Sequence, residues 1–117
     1  MRERPGACGD WTAREVVCHS TGWEAETLHR SREVRANPTS PGRTYNDDLF
    51  NAAQVAARRG RGWIAALADL AVTHPALIAF LGTITSEEAA RDGRFAEWAH
   101  GRASDFAEHG AQLRAWH

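Results

Sequence analysis

The chain has no lysine: all 14 of its basic residues are arginine. Arginine offers a rigid fork of donors where lysine offers a flexible point charge, and a GC-rich genome is the simplest source of such a set. Neither sign of charge is in excess, since 14 basic residues face 15 acidic ones for a net charge of -1. That balance excludes the electrostatic footprint of a nucleic-acid or membrane-surface partner. Two cysteines, Cys8 and Cys18, cannot build a disulfide framework, and a cytoplasmic location follows by default. No long apolar run is evident, so no membrane span is expected. Residues 1–9 lack the apolar stretch of a signal peptide. No strand-type alternation of useful length, internal repeat or low-complexity tract occurs, which leaves helices.

What is present is ordinary globular composition, with 43% hydrophobic and 25% charged residues in a length of 117 that suits a single domain spanning 1–117. Pro5, Gly6 and Gly9 make the first eleven residues a loop. Thr12 and Glu15 then fit a capping box, the Thr12 hydroxyl accepting from an early backbone N–H and Glu15 reaching back to the Thr12 N–H. The helix that follows should run to about residue 35, where the Pro- and Gly-rich stretch at 37–42 ends it. Asn46 or Asp47 can cap a second, long helix starting near Asp48 and ending at Gly82. Its expected buried face is Leu49, Ala53, Ala56, Gly60, Ile64, Leu67, Ala71 and Ile78, with a weakened middle at Gly60 and Gly62 and a kink or a break near Pro75. A short helical turn starts at Thr85, and a last helix begins near Arg94 with Phe95, Trp98, Phe106, Leu113 and Trp116 as apolar positions.

The last helix carries an anomaly. At about 100° per residue, Trp98, Asp105, His109 and Trp116 fall within about 40° of one another, so the periodicity sets Asp105 and His109 inside the apolar stripe. A buried carboxylate needs a partner. The i, i+4 spacing lets both side chains grip one ion from one helix. His19, beside Trp23 on the first helix, is the candidate third ligand. Two imidazoles and a carboxylate suit Zn²⁺ or another divalent transition metal and leave coordination positions open. Arg102, three residues before Asp105, is the alternative partner for that carboxylate. Glu26 lies two turns beyond His19 and is a candidate substrate contact or solvated edge. Trp23 is core or pocket wall. Cys18 is a small buried side chain, His100 faces solvent, and His29, His74 and His117 are surface or helix-end residues. No Ser-His-Asp or Cys-His arrangement offers a protein nucleophile.

Residues 10–24, DWTAREVVCHSTGWE, resemble the segment that carries the first metal ligand in the DinB-like superfamily. Residues 96–116, AEWAHGRASDFAEHGAQLRAW, resemble the segment that carries the other two, and Phe50-Asn51 with the following helix looks like the ClbS/DfsB-like branch. The resemblance implies a four-helix bundle with a metal between its helices, zinc first and nickel second. It carries over His19 and His109 as ligands, with Asp105 between them where histidine is frequent and a carboxylate is used in the mycothiol-dependent maleylpyruvate isomerase branch. The family begins with a helix that has no counterpart before Trp11. The expected fold is therefore an all-α, incomplete four-helix bundle of three main helices with one core face open. A displaced start codon, a fragment, or a homodimer covering that face would each account for this. The resemblance implies a small-molecule substrate and two classes of function. One is a metal- and thiol-dependent transferase or isomerase, or a related hydrolase, using a low-molecular-weight thiol. The other is a binding or protection protein of the ClbS/DfsB kind without thiol chemistry, an inactive remnant being the blandest case.

Overall fold

The computed structural model describes residues 12–42 and 45–116, which form five helices and, among them, no strand. The helices are α1 (Ala13–Ala36), α2 (Asp47–Ala57), α3 (Trp63–Gly82), α4 (Ser86–Arg91) and α5 (Arg94–Trp116). The fold is all-α, as expected. Cys8, Trp11 and His117 lie outside the described residues, as do the side chains of Phe106, Leu113 and Trp116.

α1 starts on the expected capping box. The Thr12 hydroxyl accepts from the Glu15 N–H at 3.1 Å, and the Glu15 carboxylate accepts from the Thr12 N–H at 3.3 Å. Thr85 and Glu88 repeat the device at the start of α4. Asn46 caps α2 by accepting from the Leu49 N–H. At its far end, α1 stops at extended Asn37, just before Pro38.

The single long helix expected from Asp48 to Gly82 is two helices. The chain leaves α2 at Arg58 and turns through Gly60 at φ 88°, a left-handed conformation that a β-carbon disfavours. Pro75, by contrast, sits inside α3 without ending it. Both Pro75 and Ala71 are exposed, so water can satisfy the carbonyl that loses its donor.

The expected buried face is also corrected. Leu49 is 69% exposed, Ile64 73% and Ile78 55%; Ala53, Ala56, Gly60, Leu67 and Ala71 are exposed too. Apolar residues surround α3 on nearly every side, so periodicity cannot select the side that packs. Ala66 and Leu77 are the α3 residues fully buried, with Trp63 and Leu70 packed partly beside Val17 and Cys18 of α1. The expectation of no long apolar run fails at the same place. α3 has 20 residues and a mean hydropathy of 1.8 over its best window, enough by length and composition to cross a bilayer.

α1 is the hub. It packs against α3 most extensively and also against α2 and α5, while α4 rests on α5. Because it is enclosed, α1 buries polar residues: His19, Ser20, Thr21, Glu24, Thr27, Arg30 and Ser31. Arg30 donates to the Pro41 carbonyl at 2.6 Å and pairs with Glu33 at 2.8 Å. Arg94, at the start of α5, donates to the Ser40 carbonyl at 2.8 Å. These two guanidiniums hold the loop after α1 against the bundle. Arg35 grips both oxygens of Glu88 at 2.9 and 3.0 Å and so ties the end of α1 to α4.

Glu24 is 1% exposed, and its Oε2 lies 3.3 Å from Nδ1 of His74 on α3. The sequence placed His74 at the surface; its side chain is 35% exposed, and the pairing with Glu24 draws it inward. The two atoms face each other closely without good hydrogen-bond alignment, an ion pair when His74 is protonated. Burial pushes the Glu24 carboxyl above its ordinary value, with His74 opposing that rise. A carboxyl raised on folding contributes stability that is fully present below its unfolded pKa and is lost as pH rises through the folded one. His74 offsets that loss by countering the ionised carboxylate. The His74→Ala variant should therefore cost about 2 kcal/mol near pH 6.5, less than a fully enclosed pair because His74 is partly wet, and distinctly less at pH 4. Urea denaturation of parent and variant at the two pH values checks this; an equal loss at both would show that the charge pairing is not what His74 contributes.

Candidate functional site

One cleft, of about 690 Å³, opens between α1, the start of α2 and α5. Its volume falls in the range of small-molecule sites. His19, Trp23, Glu26, Asp105 and His109, all singled out from the sequence, line it together.

The cleft floor is a chain of hydrogen bonds across three helices. Asn51 on α2 accepts through Oδ1 from Trp23 Nε1 at 2.6 Å and bonds His19 Nδ1 at 2.7 Å through the same oxygen. The indole N–H can only donate, so the Asn51 atom it meets must be the oxygen, and His19 Nδ1 must then donate as well. Burial holds the His19 pKa below its ordinary value, with the Asn51 bond opposing that fall, which favours the uncharged ring. The lone pair of the neutral ring is thus on Nε2. That atom faces Nε2 of His109 at 2.7 Å, with the rings nearly perpendicular at 87°. With His19 uncharged and donating through Nδ1, its Nε2 accepts and His109 Nε2 donates.

Asp105 does not join them. Its carboxylate accepts from Arg102, one turn earlier on α5, the alternative partner that the sequence had offered. Its side chain is 42% exposed, so the expectation that Asp105 lies within the buried stripe is corrected. Among the described residues no three His, Cys, Asp or Glu side chains converge as a ready metal cluster. The structure gathers two of the three expected ligands and leaves the third one turn away on the helix of the second.

The walls are aromatic. Trp23 packs on Phe50 with ring centroids 4.1 Å apart, and Tyr45 meets both edge-on. The Tyr45 hydroxyl donates to Glu26 at 2.6 Å, which fixes Glu26 on the cleft wall. The Arg102 guanidinium lies 5.5 Å from the Trp23 ring centroid. Cys18 is fully buried, and its thiol is pushed up by desolvation, so it is an inert core residue as expected. His100 is exposed, also as expected. Asn51 is the residue whose role residue-by-residue reading misses. Its signal was present only as the Phe50-Asn51 pair, since a lone amide on a helix carries no spacing pattern.

Comparison of the chain with protein-family models, curated proteins and solved structures finds no match.

Gly22 sets the distance between α1 and α2. A β-carbon there would lie 2.3 Å from Cγ and 2.7 Å from Cβ of Gln54, atoms close to the α2 backbone that cannot swing away. Helix propensity alone favours Gly22→Ala by about 1 kcal/mol. The clash should reverse that sign: the variant is expected to melt several degrees lower and to loosen the hold of Asn51, one turn from Gln54, on His19. Thermal denaturation checks the sign, and a melting point at or above the parent's would mean that α2 is not held at this separation.

Proposed function

We propose that this chain is a small-molecule-binding protein whose cleft floor holds a divalent transition metal through His19, His109 and Asp105. One observation carries the reading: a neutral histidine locked by Asn51 and aiming its Nε2 lone pair at a second imidazole. Histidines that ligate metals have their other ring nitrogen fixed by an acceptor in this way. The donor chemistry fits, since two imidazoles and a carboxylate suit zinc or nickel. When bound, such an ion lowers the pKa of a thiol or water in an open position.

The chain's own residues would do the rest. Trp23, Tyr45 and Trp98 line the cleft with apolar surface that favours an organic ligand and displaces water from it. Glu26 offers an acceptor on the wall, oriented by Tyr45. The resemblance to thiol-dependent DinB-like enzymes supports a reading as a transferase, isomerase or related hydrolase that uses a low-molecular-weight thiol in the cytoplasm.

A second reading has its own observation. The direct His19–His109 hydrogen bond and the Asp105–Arg102 pair satisfy all three side chains without an ion. This suits a metal-free binding or protection protein of the ClbS/DfsB kind.

Elemental analysis of tag-free protein, beside the His109→Ala variant, separates the two. About one zinc or nickel per chain in the parent, and at least ten-fold weaker retention in the variant, is the expected result. An empty parent that stays empty after reconstitution would remove the metal reading and leave the binder.

A further inference from the structure

Arg102 stands between the third donor and the histidine pair. Arg102, Asp105 and His109 follow one another along one face of α5 at spacings of three and four residues. The Asp105 carboxylate therefore has two neighbours within reach of its own helix and can turn toward either. In this structure it turns to Arg102, whose side chain is only 17% exposed. A guanidinium tolerates that position because its planar face is weakly hydrated and rests against the Trp23 indole. The same indole donates to Asn51 Oδ1, the atom that fixes His19. Arg102 is thus in contact with both halves of the candidate site: the carboxylate directly, and the histidine by way of Trp23 and Asn51.

We propose that Arg102 is a built-in competitor for the metal, a resident cation that occupies Asp105 in the free protein and gives it up when a divalent ion is bound by His19 and His109. The inference rests on the metal reading above. It accounts for one of two ways in which the structure departs from an open ligand set, the other being the direct His19–His109 hydrogen bond. Asp105 is at the right place on α5 but is already neutralised. It would also lower the site's affinity, since each ion bound must break the Arg102–Asp105 pair.

The test is a thermodynamic cycle. Zinc affinity is measured on the full chain at pH 7.5 by competition with a chromophoric chelator, for the parent, Arg102→Gln, Asp105→Asn and the double variant. Helical content by circular dichroism shows that each is folded. Removing a positive charge near a cation site strengthens binding in any background, so the informative quantity is the difference between backgrounds. Arg102→Gln should tighten zinc about five-fold where Asp105 is present and less than about two-fold where it is asparagine. Arg102→Lys, which keeps the charge but not the planar fork, should fall between Gln and the parent. Equal gains in both backgrounds, or weaker binding by Arg102→Gln, would overturn the competitor role while leaving the metal site standing. Zinc binding by none of the four proteins would overturn both readings, a pattern distinct from binding that ignores Arg102.

Discussion

The fold depends on enclosing α1, a helix of polar character that three others surround. A buried hydroxyl, carboxylate or guanidinium without a partner costs several kcal/mol, so an enclosed polar helix dictates what its neighbours present to it. The Thr21 hydroxyl turns back to the Val17 carbonyl at 2.9 Å. Arg30 takes a loop carbonyl, Glu24 takes a histidine from α3, and His19 takes an amide from α2 and an imidazole from α5. Apart from the Thr21 bond, which stays within α1, each of these contacts fixes a neighbouring segment at one position along α1. One apolar cluster has Val17, Cys18 and Ala66 at its centre, with Trp63 and Leu70 against it. Apolar burial is non-directional, and on its own would let α2, α3 and α5 slide along α1. Polar pairing is directional and sets their register.

The candidate site is a consequence of that register. His19 is buried because α1 is buried, and the energetics that make it need a partner on Nδ1 also leave its other nitrogen aimed at α5. Gly22, one turn further along α1, lets α2 approach closely enough for Asn51 to be that partner. The site is in this sense assembled from three separate helices by the demand to satisfy one imidazole. An imidazole pair formed between α1 and α5, 90 residues apart in sequence, is stable only if both helices are already placed.

Local rules were legible in the sequence and global ones were not. The capping box at Thr12, the cap at Asn46 and the end of α1 before Pro38 involve residues within four positions of each other, where backbone chemistry decides. The inward position of His19 was legible too, because α1 has clear flanking signals. The split between α2 and α3 was missed because two glycines were read as weak points in a helix. A positive φ at Gly60 turned one of them into a corner. The buried side of α3 was missed for a different reason. A helix apolar on all sides has no moment to read, and only the position of α1 determines that Ala66 and Leu77 go inside. The pairing of Glu24 with His74 joins residues 50 apart, and no spacing rule spans that distance. Asp105 was placed on the correct helix turn but with the wrong exposure, since the wheel cannot show how little of α5 another helix covers.

The arginine-only composition acquires a structural meaning from these contacts. Arg35 uses three nitrogens at once, two on Glu88 and two bonds to Thr83. Arg94 divides its fork between Asp92, the Ser40 carbonyl and the Pro38 carbonyl. A lysine ammonium, with one nitrogen, could satisfy one of these partners well and would leave the others to water. Arg102 is the same device in the cleft, with an edge on Asp105 and a face on Trp23. The chain therefore closes its loops and its cleft with planar cations that bridge two elements each. In the metal reading proposed above, the chemistry that holds the loops together would also limit ion binding: a guanidinium that fits its carboxylate well is a strong rival to any metal that would replace it.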